Sequence, residues 1–194
     1  MKQYISGNST AIVILHEIYG LNDFMKDIAK KYHQMGCDIF CPNFYEENQI
    51  FPYDCAEKAY AAFMSKVGFD HYTEVNTLII KLKETYDRVF VLGFSVGATI
   101  AWRCAEHVSC NGVICCYGSR IRDYYDVMPK CPTYLIFAQL DSFDVLTAVE
   151  KLQGKELVEV TVLNAKHGFL DPYSVNYAEP SAQAFHARLK DLVR

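Results

Sequence analysis

No stretch of this chain approaches the roughly 18 apolar residues that a membrane helix needs. Its longest early apolar run is Ala11–Leu15. Positive charge is not in excess: 19 Lys and Arg face 23 Asp and Glu, for a net charge of −4. A nucleic-acid partner is therefore not expected, because such proteins carry a basic face. The N-terminus, Met1-Lys2-Gln3-Tyr4, has no apolar h-region followed by a small-residue cleavage site. A cytoplasmic protein with no membrane partner is expected. No internal repeat, low-complexity tract or linker breaks the chain, so residues 1–194 read as one domain. C-x-x-C is absent as well, which removes the commonest spaced-thiol metal and redox patterns.

Eight cysteines are nonetheless present in a 194-residue chain that is 51% hydrophobic and 22% charged. A core of that size needs no disulfide staples. Cys115 and Cys116 are adjacent in the apolar run Gly112–Tyr117, and the others scatter, so free thiols used as small hydrophobes are expected. His33, Cys37 and Cys41 have an i, i+4, i+8 spacing, but Gly36 ends that helix and Cys41 falls in the next strand. Metal ligation is not expected there, because the ligand geometry is lost.

Short β-branched runs alternate with longer amphipathic stretches. Strands are expected at Thr10–Leu15, Asp38–Cys41, Arg88–Phe94, Gly112–Tyr117, Thr133–Ala138 and Glu156–Leu163. Helices are expected from Asn22 to Gly36, at Tyr53–Val67, Asp70–Tyr86, Ser95–His107 and Asp144–Leu152, and from about Ser181 to Val193. This alternation implies an α/β fold: a mostly parallel sheet of about six to seven strands with helices on both faces. Ligands bind such sheets at the carboxyl ends of the strands.

One strand end carries Gly93-Phe94-Ser95-Val96-Gly97 before a helix. G-x-S-x-G between strand and helix is a sharp turn that lifts a serine hydroxyl above the sheet, and small neighbours make room for it. The Val96 N–H then lies at a helix N-terminus, where the dipole favours a developing oxyanion. A serine nucleophile needs a base. His167 follows the last strand and Asp141 follows the one before it, which gives the order Ser…Asp…His. His16, at the end of the first strand, is the rival base but precedes the serine. Asp144, the rival acid, reads as the N-cap of its helix.

The segments His16-Glu17-Ile18-Tyr19-Gly20-Leu21-Asn22, Cys41-Pro42-Asn43-Phe44-Tyr45, Gly93-Phe94-Ser95-Val96-Gly97-Ala98 and His167-Gly168-Phe169 occur in that order across nearly the whole chain. Together they resemble the dienelactone hydrolase family of α/β hydrolases. The resemblance implies a hydrolase with Ser95, His167 and Asp141 as a triad and the Ile18 and Val96 N–H groups as an oxyanion hole. It also implies a supporting role for Glu17. Without a cysteine nucleophile, Glu17 is expected to be structural, bonding backbone N–H groups or a nearby side chain. Two departures are visible. The best-known members use cysteine where Ser95 stands, and they hold a substrate carboxylate with an arginine a few residues after the histidine. Here that segment is Gly168-Phe169-Leu170-Asp171. A small ester, lactone or thioester is thus the expected substrate. Tyr45 and Tyr125 are candidate pocket walls, since aromatics follow the second and fourth strands. No cofactor or metal is called for, and the oligomeric expectation is a monomer or homodimer. An acyltransferase or thioesterase on the same triad, or a non-catalytic binding protein on this fold, remain open alternatives.

Overall fold

A computed structural model describes residues 1–107 and 110–193. Seven strands form one sheet in the order β1-β3-β2-β4-β5-β6-β7. They are β1 (Lys2–Tyr4), β2 (Thr10–Leu15), β3 (Asp38–Cys41), β4 (Arg88–Phe94), β5 (Gly112–Cys116), β6 (Thr133–Leu140) and β7 (Val158–Lys166). The pairings from β3 to β7 are all parallel. β1 lies antiparallel on the outer edge of β3. Sequence reading missed β1, because three half-polar residues carry no periodicity. β7 runs three residues further than expected, ending next to His167.

The helices are α1 (Asp23–Gln34), α2 (Ala56–Lys66), α3 (Tyr72–Leu82), α4 (Val96–His107), α5 (Val145–Leu152) and α6 (Glu179–Val193). α1 begins where Asn22 accepts the Met25 N–H at 3.1 Å. α5 begins where Asp144 accepts the Thr147 N–H at 3.2 Å, so Asp144 is spent as a cap. Short 3₁₀ turns occupy Tyr53–Cys55 and Phe69–His71, trimming the start of the two helices expected there.

Every residue of β2 is buried, as a strand covered on both faces must be. Its side chains alternate between two cores. Ala11, Val13 and Leu15 meet Phe63, Ile79 and Trp102 from α2, α3 and α4. Ile12 and Ile14 meet Phe24, Ile28 and Tyr32 from α1 and Phe185 and Leu189 from α6. Strand order reverses direction between β2 and β4, so a crevice opens at their carboxyl ends. Among the described residues no helix is long and apolar enough to cross a membrane.

Candidate active site

β4 ends at Phe94, and Ser95 takes a φ of +53°, in the left-handed region. A non-glycine residue stays there only when its surroundings hold it. Three restraints do so. The Ser95 N–H donates to Cys116 O at 3.0 Å, while Ser95 O receives the Ala98 N–H at 3.1 Å. The flanking glycines supply the third. A Cβ on Gly93 would lie 2.3 Å from Gly97 O, and one on Gly97 would lie 2.4 Å from Leu15 O. The turn therefore closes only if both positions lack side chains, and it presses the first turn of α4 against the end of β2.

A second local device brings histidine to carboxylate. β6 and β7 pair through Leu140 and Lys166, with an irregularity just before. The next residues, Asp141 and His167, thus leave neighbouring strands at the same level. His167 Nδ1 donates to Asp141 Oδ2 at 2.7 Å. That fixes the tautomer, so Nε2 is the acceptor and the Ser95 hydroxyl, 3.0 Å away, donates to it. Asp141 Oδ1 accepts the Ser142 N–H at 2.6 Å and the Ser142 hydroxyl at 3.1 Å. From behind, Asn176 Nδ2 donates to His167 O at 3.0 Å, and the Tyr117 ring packs edge-on at 5.0 Å. Burial pulls the His167 pKa down, but its bond to Asp141 and the charges of Asp141 and Glu17 outweigh this and leave it raised.

His16 has no capacity left to act as a base. It is fully buried, its Nε2 accepts the Phe44 N–H at 3.0 Å, and its Nδ1 must then donate to Glu17 O at 2.5 Å. Burial depresses its pKa to about 4. His33 is likewise committed, Nδ1 to Cys37 O at 2.9 Å and Nε2 to Ser6 Oγ at 3.0 Å. All eight cysteines are free thiols, and all but Cys55 are buried.

The cavity above Ser95 has a volume of about 810 Å³ and is bordered by Ile18, Val96, Tyr60, Arg122, Leu140 and His167 among others. Ile18 and Val96 border this cavity together with Ser95. Tyr45 and Tyr125 are not among the residues lining this cavity. Tyr45 is buried, and its hydroxyl donates to Ile18 O at 2.7 Å, bracing the Ile18 loop. Tyr125, partly buried, packs against the core that includes Phe63, Ile79 and Trp102. Chain order gave no means to separate a tyrosine facing the cavity from one bracing a loop.

Glu17 differs most from expectation. Its backbone carbonyl shapes the turn, accepting from His16 and from the Gly20 N–H at 3.3 Å. The side chain does not: Oε1 is buried with no hydrogen-bond partner. Burial, reinforced by the Asp171 carboxylate and opposed by His167 and the neighbouring Tyr117 hydroxyl, pushes the Glu17 pKa up to about 7. Asp171 itself is 1% exposed and accepts the Tyr53 hydroxyl at 2.5 Å and the Tyr173 N–H at 2.8 Å. Asp171 and Asn176 were not singled out from sequence, and no spacing rule points to them.

A sheet with its strand-end serine at a strained turn before a helix is the architecture of the α/β hydrolases. Within that class, the chain belongs to the Dienelactone hydrolase family, whose profile matches residues 3–194, and it is a hydrolase of ester bonds. The uncharacterized protein YczH of Bacillus subtilis is 36% identical over 169 residues, covering 86% of this chain and 83% of its own. A promiscuous dienelactone hydrolase-like phosphotriesterase from metagenomic libraries shares the fold with a TM-score of 0.75 at 17% identity, over 97% of this chain and 87% of the other. An esterase of Pyrococcus furiosus does so with a TM-score of 0.65 at 16% identity, over 96% and 82%.

Proposed function

We propose that this protein is a serine carboxylesterase that cleaves a small ester or lactone through an acyl-enzyme, in the cytoplasm and without a cofactor. One observation carries the reading: the unbroken relay from Ser95 Oγ to His167 Nε2 at 3.0 Å and from His167 Nδ1 to Asp141 at 2.7 Å, on a serine held at φ +53°. Ser95 Oγ attacks the carbonyl carbon while His167 Nε2 takes its proton. Asp141 holds the tautomer and stabilises the imidazolium. The Val96 and Ile18 N–H groups face the forming oxyanion. The imidazolium returns the proton to the leaving alkoxide, and water deacylates Ser95 by the same route. The 810 Å³ cavity suits a small substrate rather than a polymer.

Ser95→Ala should lower the turnover of short p-nitrophenyl esters by about 10⁴–10⁶-fold. It should also abolish covalent labelling by a fluorophosphonate probe. Labelling that survives in Ser95→Ala would remove Ser95 from the role.

A further inference from the structure

Next to the large cavity, and sharing Ile18, Ser95, His167 and Asn176 with it, lies a second chamber of about 140 Å³. Ser95 and His167 form one wall. Glu17, Asp171, Tyr19 and Tyr53 form much of the rest. The chamber is acidic. Two carboxylates that are each 5% exposed or less face it, and no lysine or arginine lines it among the described residues. Asp171 is oriented by Tyr53 and the Tyr173 N–H, and the Tyr53 hydroxyl is itself pinned by Asn22 Nδ2 at 2.9 Å. Glu17 has the Tyr117 hydroxyl beside it, but its Oε1 is buried without a hydrogen-bond partner. A buried acceptor left without a donor costs free energy that a bound donor would recover.

The geometry points to a substrate subsite: the Glu17–Asp171 chamber takes a primary ammonium group that stands a few bonds from the scissile carbonyl. This deepens the esterase reading and rests on it. The ammonium is a spectator, so hydrolysis gives the amino acid and the alcohol with no further bond made or broken.

Three considerations favour an ammonium over other occupants. The chamber borders the nucleophile, so whatever fills it is attached close to the reacting carbon. It admits a group of only a few heavy atoms, which excludes a ring or a long chain. Two carboxylates facing one small space repel each other, and a cation between them reverses that repulsion. Burial already holds both carboxyl groups above their ordinary pKa, and the Asp171 charge adds to the effect on Glu17. An anionic substituent would meet the reverse situation. The large cavity, by contrast, is lined by cations: Lys166, Arg120, which pairs with Asp123, and Arg122, which donates to Ser119 O and lies over Phe143.

The test uses three ethyl esters of nearly equal size: β-alanine, whose terminus is ammonium, butanoate, whose terminus is methyl, and 3-hydroxypropanoate, whose terminus is hydroxyl. Binding is measured by calorimetry at pH 7.5 to the full-length Ser95→Ala protein, which cannot turn them over. The β-alanine ester should bind at least tenfold more tightly than the butanoate ester. Adding Asp171→Asn or Glu17→Gln should erase most of that ratio. A β-alanine ester that binds no better than the butanoate overturns the subsite. So does a 3-hydroxypropanoate ester that binds as tightly as β-alanine, because a neutral donor would then suffice. Turnover of the butanoate ester by the wild-type protein is measured separately. Its absence would overturn the esterase reading while leaving the binding ratio to decide the subsite.

Discussion

Glu17 shows what one buried carboxyl does to the molecule around it. Its pKa of about 7 in the fold exceeds the ordinary carboxylate value of 4.5. Below 4.5 it is protonated in folded and unfolded chains alike and makes no difference. Between 4.5 and 7 the unfolded chain releases a proton that the folded chain keeps, so stability falls as pH rises, and the full cost applies above 7. Glu17→Gln should therefore raise the melting temperature at pH 8, by an amount equivalent to about 3 kcal/mol, and leave it nearly unchanged at pH 4. Thermal melts at the two pH values check this, and an equal shift at both would show that the gain is not electrostatic. The same charge supports the His167 imidazolium. In wild type the acid limb of kcat/KM should fall above 6.5, the ordinary imidazole value, because His167 must be neutral to accept a proton. Glu17→Gln should move that limb to lower pH. A limb that stays in place would mean the Glu17 charge does not reach His167.

At the scale of elements, the β4–α4 turn is where packing and site are the same structure. Gly97→Ala would set a Cβ 2.4 Å from Leu15 O and 2.6 Å from His16 O, both backbone atoms that cannot rotate away. α4 must then back off from β2, carrying the Val96 N–H with it. A displacement near 1 Å at a reacting group costs about 10²-fold, and the overpacked contact costs roughly 1–3 kcal/mol. Ester kinetics and a urea melt of Gly97→Ala check both, and near-wild-type values would mean the turn has slack. This turn was legible in the sequence because G-x-S-x-G encodes a steric demand. The buried strands were legible for a similar reason, since continuous apolar runs such as Val89–Leu92 have one stable environment. β1 was not, because its place is set by the edge of β3 and not by its own three residues. Nor was the Glu17–Asp171 chamber, because β2 and the segment after β7 are far apart in sequence and only the folded sheet makes them neighbours.

For the whole molecule, thiol chemistry offers a direct check. The protein, denatured without prior reduction, should titrate eight free thiols. A deficit of two would locate itself at Cys110 and Cys131, whose sulfurs lie 3.6 Å apart in contact across the loops preceding β5 and β6. Their mutual bond splits them, drawing Cys131 down to about 7 and pushing Cys110 up. His16 has a consequence of another kind. Held near 4 against an ordinary 6.5, it makes the folded state lose ground as acid rises from 6.5 downward, because only the unfolded chain accepts the proton. Glu17 erodes the fold from the opposite direction. Between about 4.5 and 6.5 the two slopes largely cancel, so two side chains adjacent in sequence flatten the dependence of stability on acidity across that range. His167, kept basic by its neighbours, works best above that range. Acidity in that range therefore changes how fast this protein turns over more than how long it lasts, and the buffering of the fold originates in one dipeptide at the end of β2.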